Sequence, residues 1–321
     1  MLISPNSKNM KTVFLFPGQG SQRAGMLKEY SSGDIIVSDV YTDVKEILGQ
    51  DPAYLDTEEK IRSTVYAQLS LLIASVISAR QLQKKGARPD FVAGHSVGAF
   101  CAAVIGGVLS FKQALTLVHT RGLLMEKAYP HGYGMAALTG ISETALNKTL
   151  SKFNLIHETV YLSNVNAADQ MVVSGNLSDL QTLIRQMENS GIRKAKLLNV
   201  AVPSHCPLLN NVASALQEQL GKMELQQPSI PYASNHNGRV LRDRDAIRED
   251  LYKSIATTLR WHDATSLIFE LGGRIFIEME PSGVLSKIAA STFPDAKVLS
   301  LGDGNMDTVS WLWNSYQQNT I

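Results

Sequence analysis

The stretch that most constrains this chain is "FVAGHSVGAF", residues 91–100. An apolar, β-rich run meets a glycine, one serine follows between Gly94 and Gly98, and small apolar residues resume. Such a run predicts a short buried strand that turns at once into a closely packed helix. G-x-S-x-G at that junction forces its serine into an unfavourable backbone conformation, and only small neighbours tolerate the crowding. The turn lifts the hydroxyl above the sheet edge and leaves Ser96 at a helix N-terminus, where free N–H groups favour developing negative charge. The backbone N–H of Val97 is then a natural oxyanion donor. A tight turn without chemistry is the competing reading of the pentapeptide alone.

The context supports a covered parallel sheet. Residues 11–16 form another short apolar run, broken by "PGQGSQ", which reads as a buried strand ending in a tight loop. Residues 58–85, 97–108 and 111–128 carry helical patterns. Strand and helix alternating at this spacing predict an α/β fold with a parallel-sheet, hydrolase-like large domain. After "YPHGYG" the texture changes. Strands are predicted at 135–141, 160–164, 170–174 and 194–202, with helices at 142–153 and 177–190. That β-α-β-β-α-β order is the ferredoxin-like pattern. The expected division is a flexible leader over 1–10, a large catalytic domain from 11–131 and 203–321, and an inserted α+β small domain over 132–202.

Composition narrows the function classes. The 30 basic and 29 acidic side chains give a net charge of +1, so nothing supports nucleic acid as a main partner. Cys101 and Cys206 are too few for a disulfide framework or a cysteine-built zinc site, so no metal is expected and a reduced, cytoplasmic setting fits best. The first residues lack the order of a signal peptide, and the apolar run 69–77 is too short to span a bilayer, so no membrane association is expected.

A serine hydroxyl needs a base to become a nucleophile at neutral pH. Of the seven histidines, His205 stands out. It follows an apolar run and sits in "VPSHCP", where two prolines restrict the backbone. Its other reading is a buried structural histidine beside Cys206. His95 adjoins the serine, but neighbours on a sharp turn point apart. His119 falls on a helix, His131, His157 and His236 lie in polar turns, and His262 stands at a helix start. Arg121 falls on the core-facing stripe of its helix, with Phe111, Leu115, Val118 and Met125. A buried guanidinium needs a partner. It could snorkel to solvent or pair with an internal carboxylate; the other reading is a carboxylate arriving with the substrate, gripped by two parallel hydrogen bonds. The "PGQGSQ" loop lacks the Lys-Ser/Thr of a phosphate-binding loop. It reads as backbone that must come close to something, with Gln19 fitting as a second oxyanion N–H.

The motifs "FPGQGSQ", "GHSVG", "RG-LM" (Arg121 to Met125), "VPSH" and "RW" (Arg260, Trp261) occur in the order found in malonyl-CoA:acyl carrier protein transacylases, and the chain resembles that family from about residue 11 to 302. The resemblance implies a malonyl-CoA substrate, no tightly bound cofactor, and an acidic acyl carrier protein as partner. It implies Ser96 as the acylated nucleophile, His205 as its base, Arg121 on the malonyl carboxylate and the N–H groups of Gln19 and Val97 as oxyanion hole. It also implies a main-chain carbonyl, near Arg260, that orients the histidine. Ala99 replaces a usual glutamate after the elbow, and "EPSGVL" replaces the usual "GPG-VL". These departures weaken assignment to the housekeeping fatty-acid enzyme, and "GHSVGAF", "LMEKAYPHGYGMAAL", "SNHNGRVLRDRDAIREDL" and "RWHDAT" look more like the malonyl transferase subunit of malonate decarboxylase, whose other subunits would then be partners. The alternatives are a housekeeping transacylase of fatty-acid or polyketide synthesis, a serine hydrolase and a non-catalytic scaffolding subunit. "RKAK" (residues 193–196) is a candidate carrier-docking patch or a solvated strand edge.

Overall fold

The computed structural model describes residues 10–30, 33–129, 131–157, 160–200, 202–281, 283–302 and 306–318. The expected leader lies outside them except for its last residue. Strands and helices are numbered in chain order. In β1 (Lys11–Phe16), Val13 and Leu15 pack into one apolar cluster and Phe14 and Phe16 into another, all four with no exposed surface. A strand buried on both faces belongs at the centre of a parallel sheet clad by helices. It pairs in parallel with β2 (Phe91–Gly94) and with β9 (Gly273–Glu278). Beyond them, β10 (Lys297–Ser300) joins β9 and β7 (Tyr232–Ala233) joins β2, both in parallel. The antiparallel β8 (Val240–Leu241) pairs with β7 at the end of the six-stranded sheet.

The larger cluster lies under α1 (Ile35–Leu48), α2 (Thr64–Lys84), α3 (Gly98–Ile105), α4 (Phe111–Ala128), α7 (Asn210–Gly221) and α8 (Arg244–Lys253), with α11 (Met306–Gln317) at its margin. On the other face, α9 (Trp261–Glu270) and α10 (Leu285–Thr292) cover the second cluster. Helix α2 has 21 residues and is long and apolar enough to cross a membrane, but it is largely buried and packs against α1, α3 and α4. The apolar run behind the sequence expectation is therefore the middle of a longer core helix. Gly122 makes the α2–α4 contact close: a Cβ there would meet the Val65 backbone at 2.7 Å.

The second sheet follows the ferredoxin-like order. Its elements are β3 (Tyr133–Thr139), α5 (Glu143–Phe153), β4 (Tyr161–Ala167), β5 (Gln170–Asn176), α6 (Leu177–Asn189) and β6 (Lys194–Leu197). The strands pair antiparallel in the order β4-β5-β3-β6 around a core of their own. Ser142 and Asn176 cap α5 and α6 by accepting from Ala145 and Ser178 N–H. Strand β6 ends at Leu197, short of the expected 202, and Ala201 lies outside the described residues. The two sheets meet where Leu259 bridges Asn164, through Leu259 N–H to Ser163 O at 2.7 Å and Val165 N–H to Leu259 O at 2.9 Å. Beside them Arg260 reaches Glu143 at 2.6 Å.

The elbow is built by close backbone approach. A Cβ on Gly94 would lie 2.0 Å from Gly98 O, and one on Gly98 would lie 2.2 Å from Phe16 O. Neither neighbour is a flexible side chain, so any larger residue displaces backbone. Gly98→Ala is expected to lower the thermal midpoint by at least about 8 °C, whereas Gly221→Ala, which meets open space, leaves it unchanged or higher. Differential scanning fluorimetry of the two variants checks this; equal midpoints would contradict it.

Candidate active site

Two non-glycine residues have positive φ among the described residues, Ser96 at 55° and His205 at 57°. Left-handed backbone is costly for side-chain-bearing residues and persists where surrounding contacts over-determine it. Here both residues meet. Ser96 Oγ lies 2.8 Å from His205 Nε2 and 3.0 Å from Arg121 Nη2. They come from separate elements: the β2–α3 turn, the segment before α7, and the buried stripe of α4.

His205 is held by the free carbonyls at the end of α8. Its backbone N–H donates to Ile255 O at 2.8 Å, and its ring Nδ1 lies 2.5 Å from Ser254 O. A carbonyl only accepts, so Nδ1 carries the proton and Nε2 is left to accept from the Ser96 hydroxyl. This corrects the expectation for Arg260. The Arg260 carbonyl accepts from Ala264 N–H in the first turn of α9, and its N–H donates to Asn235 O. Its guanidinium pairs with Glu143 and Asp263. The orienting carbonyl is that of Ser254. The negative end of α8 favours positive charge on the His205 ring.

Arg121 is 2% exposed and has no carboxylate partner among the described residues; Ser96 Oγ is its recorded acceptor and its Nε has none. Burial pushes the guanidinium down to about 10, so it stays charged at neutral pH. Burial, then the nearby Arg121 charge, push His205 down to about 3, against the smaller opposing effect of the Ser254 bond. The imidazole is therefore neutral across physiological pH, with Nε2 able to accept a hydrogen bond from Ser96 Oγ.

These groups open into a cavity of about 300 Å³ between the two sheets, lined by Ser96, His205, Arg121, Gln19, Gln68 and Asn164 among others. Gln19 stands in the β1 loop. Gly18 lets that loop lie on the elbow, since a Cβ there would sit 2.8 Å from His95 O. The N–H groups of Gln19 and Val97 have no recorded protein acceptor among the described residues, and Val97 N–H opens α3. His95 turns away from Ser96: its Nε2 lies 3.1 Å from Asn166 Oδ1, its ring packs edge-on to Trp261, and burial lowers its pKa. His157 sits by Asp179, and His236 Nδ1 by Thr257. No metal-holding group of His, Cys, Asp and Glu occurs among the described residues.

Sequence reasoning missed Ser254, Asn235, Gln68, Asn164 and Asn166. Ser254 acts through its main chain, which no residue type announces. Gln68 is buried in α2 with Oε1 unpartnered and Nε2 only 3.6 Å from Met125 Sδ. A long amide side chain among the small and apolar residues of that helix's buried stretch was the available signal.

Comparison with known proteins agrees with this geometry. Residues 13–303 match the model of the acyl transferase domain family. The malonyl CoA-acyl carrier protein transacylase of Bacillus subtilis is 32% identical over 297 residues, covering 91% of this chain and 94% of the relative. The solved malonyl CoA-acyl carrier protein transacylase of Coxiella burnetii superposes with a TM-score of 0.89 at 30% identity, covering 97% of this chain and 98% of the other. A solved complex described as a type II PKS acyl-carrier protein with its malonyl-transacylase matches with a TM-score of 0.87 at 29% identity, covering 96% and 99%. A match running almost end to end, with the serine, histidine and arginine already assembled, means that the chain belongs to the acyl transferase domain family, alongside relatives named malonyl CoA-acyl carrier protein transacylase.

Proposed function

We propose that this chain moves a malonyl group from malonyl-CoA to the phosphopantetheine-type thiol of an acyl carrier protein, through a malonyl ester on Ser96. The observation that carries the reading is one hydroxyl, Ser96 Oγ, held between a neutral imidazole and a buried guanidinium that has no carboxylate partner among the described residues. The Ser96 O–H donates to His205 Nε2 and its oxygen accepts from Arg121 Nη2. A substrate carboxylate is a stronger acceptor than a hydroxyl and would take that donor. The serine lone pair is then released for attack, and the added negative charge offsets what depresses His205. Recognition of the acyl group and activation of the nucleophile are thereby coupled.

In the forward half-reaction, His205 Nε2 takes the Ser96 proton as Oγ attacks the thioester carbonyl. The N–H groups of Gln19 and Val97 receive the oxyanion, each worth roughly 3 kcal/mol of barrier. The C–S bond breaks, and the CoA sulfur leaves with the proton from His205. The carrier thiol reverses these steps: it gives its proton to His205, attacks the ester and frees Ser96. The Lys194 and Lys196 side chains, exposed on edge strand β6, support an acidic partner at the mouth of the cavity, where Leu198 and Val200 follow. Arg193 of the same patch is paired with Asp169.

The pathway reading shifts from the sequence expectation. The relatives compared above carry the transacylase name, and nothing in them supports a malonate decarboxylase subunit, so the carrier favoured here is one of fatty-acid or polyketide synthesis. A complete, assembled site speaks against a scaffolding role. A serine hydrolase would share the elbow but use water as acceptor.

Incubation with malonyl-CoA is expected to add one malonyl mass to Ser96, stable until a fatty-acid holo-carrier removes it; Ser96→Ala should show no adduct. Rapid hydrolysis in the absence of carrier would favour the hydrolase, and no adduct would reject the reading. The pH profile gives a second check. His205 lies near 3 in the folded chain, below its ordinary 6.5. Its neutral form is thus favoured by folding: the stabilisation is present above about pH 6.5 and is lost as pH falls towards 3. Accordingly, kcat/KM for malonyl-CoA should stay flat from about pH 8 to 5.5, with no acid limb at the usual histidine position. A limb near pH 6.5 would contradict the geometry.

A further inference from the structure

The elbow is held from an unexpected side. Strand β7 pairs with β2 only at Val92↔Tyr232 and Ala93↔Ala233, and then Ser234 turns back, its N–H donating to Arg239 O. Gly94 and Ser96 continue past the end of that ladder. The side chain of Asn235, 2% exposed, takes its place: Nδ2 donates to Gly94 O at 2.8 Å, and Oδ1 accepts from Ser96 N–H at 3.1 Å. One amide thus satisfies a carbonyl before the elbow and the N–H of the serine itself. Asn235 is fixed in turn. The buried Asp250 carboxylate accepts from Tyr232 Oη, Ser234 Oγ and His236 N–H, at 2.7, 2.6 and 2.7 Å. These residues flank position 235 on both sides, while Arg260 N–H holds its carbonyl at 2.7 Å.

We propose that Asn235 is a positioning residue for the nucleophile, holding Ser96 in its left-handed conformation and setting the aim of Oγ toward His205. The proposal rests on the reading of Ser96 as the nucleophile. A left-handed serine is strained, and a strained residue keeps its geometry only where its neighbours bind it. Without the amide, Ser96 N–H and Gly94 O lose their recorded side-chain partner, and the turn can relax toward ordinary backbone. Oγ then moves away from Nε2, and a displacement of about 1 Å costs about 100-fold in rate. Substrate binding, which relies on Arg121 and the cavity walls, is untouched.

The test compares full-length wild type, Asn235→Ala and Asn235→Asp. The first variant removes both bonds; the second keeps an acceptor for Ser96 N–H and loses the donor to Gly94 O. Single-turnover acylation by malonyl-CoA is measured against substrate concentration, alongside labelling of Ser96 by a fluorophosphonate, in which Oγ displaces fluoride from phosphorus. The fluorophosphonate reads the aim of Oγ whatever the natural acyl donor is. If malonyl-CoA fails on wild type while labelling succeeds, the malonyl reading falls and the Asn235 effect is still measured. Asn235→Ala is expected to slow both reactions about 100-fold per reactive molecule, with half-saturation by malonyl-CoA changed less than about threefold. Asn235→Asp should recover about tenfold of that loss and remain slower than wild type. Labelling rates within about twofold of wild type in Asn235→Ala would overturn the proposal. So would a smaller reactive fraction with an unchanged rate, which marks a folding role only. If Asn235→Ala yields no folded protein, Asn235→Asp decides: slowed labelling at unchanged half-saturation supports the proposal, and a wild-type labelling rate overturns it.

Discussion

Everything at this site depends on how closely three pieces of backbone meet at the elbow. Gly94, Gly98 and the Phe16 carbonyl leave no room for a Cβ, and between the two glycines Ser96 sits at a φ of 55°. The parallel pairing of β1 with β2 sets the Phe16 carbonyl against the turn, where it accepts His95 N–H at 2.9 Å. The same approach aligns the β1 loop, with Gln19, beside the start of α3. The sheet therefore supplies a left-handed serine and sets the β1 loop beside it. The geometry of the site is a consequence of core packing, because the strands that carry it are buried on both faces.

The electrostatics are unusual in what they omit. No carboxylate touches His205 or Arg121 among the described residues; a helix carbonyl orients the imidazole, and the guanidinium is buried with one hydroxyl as its recorded acceptor. An internal acid would have stabilised the arginine more cheaply, but it would have occupied the fork and raised the basicity of His205 at all times. Leaving the fork open makes the site sensitive to a negative charge that arrives from outside. In the proposed reaction, the burial cost carried by the free protein is recovered when the malonyl carboxylate binds.

Much of this was legible in the chain. The elbow announced itself because glycine spacing reports close approach directly. The ferredoxin-like order could be read because α5 and α6 carry clean caps and amphipathic stripes, with Leu180, Leu183 and Met187 buried on one face of α6. Arg121 could be singled out by its place on an apolar stripe. What escaped was of two kinds. Main-chain roles, such as the Ser254 carbonyl, depend on where a helix ends in space, so "RW" pointed to Arg260, whose own carbonyl is consumed by α9. Long-range side-chain roles, such as Asn235, join residues 139 positions apart and leave no local period. Helix α1 was a different omission: Asp34 caps it, and Gly49 ends it at φ 64°, both ordinary start and stop signals around a modest apolar stripe.

The claim on which the account turns is that Arg121 is buried for the substrate and not for the fold. The most direct measurement is the ratio of Ser96 acylation rates with malonyl-CoA and acetyl-CoA, taken in the wild type and in Arg121→Met. The substitution is expected to lower the malonyl rate by about 100-fold or more while the acetyl rate changes far less, so that the ratio collapses. An equal fall for both donors would show that the guanidinium supports the site without reading the acyl group, and would contradict the account.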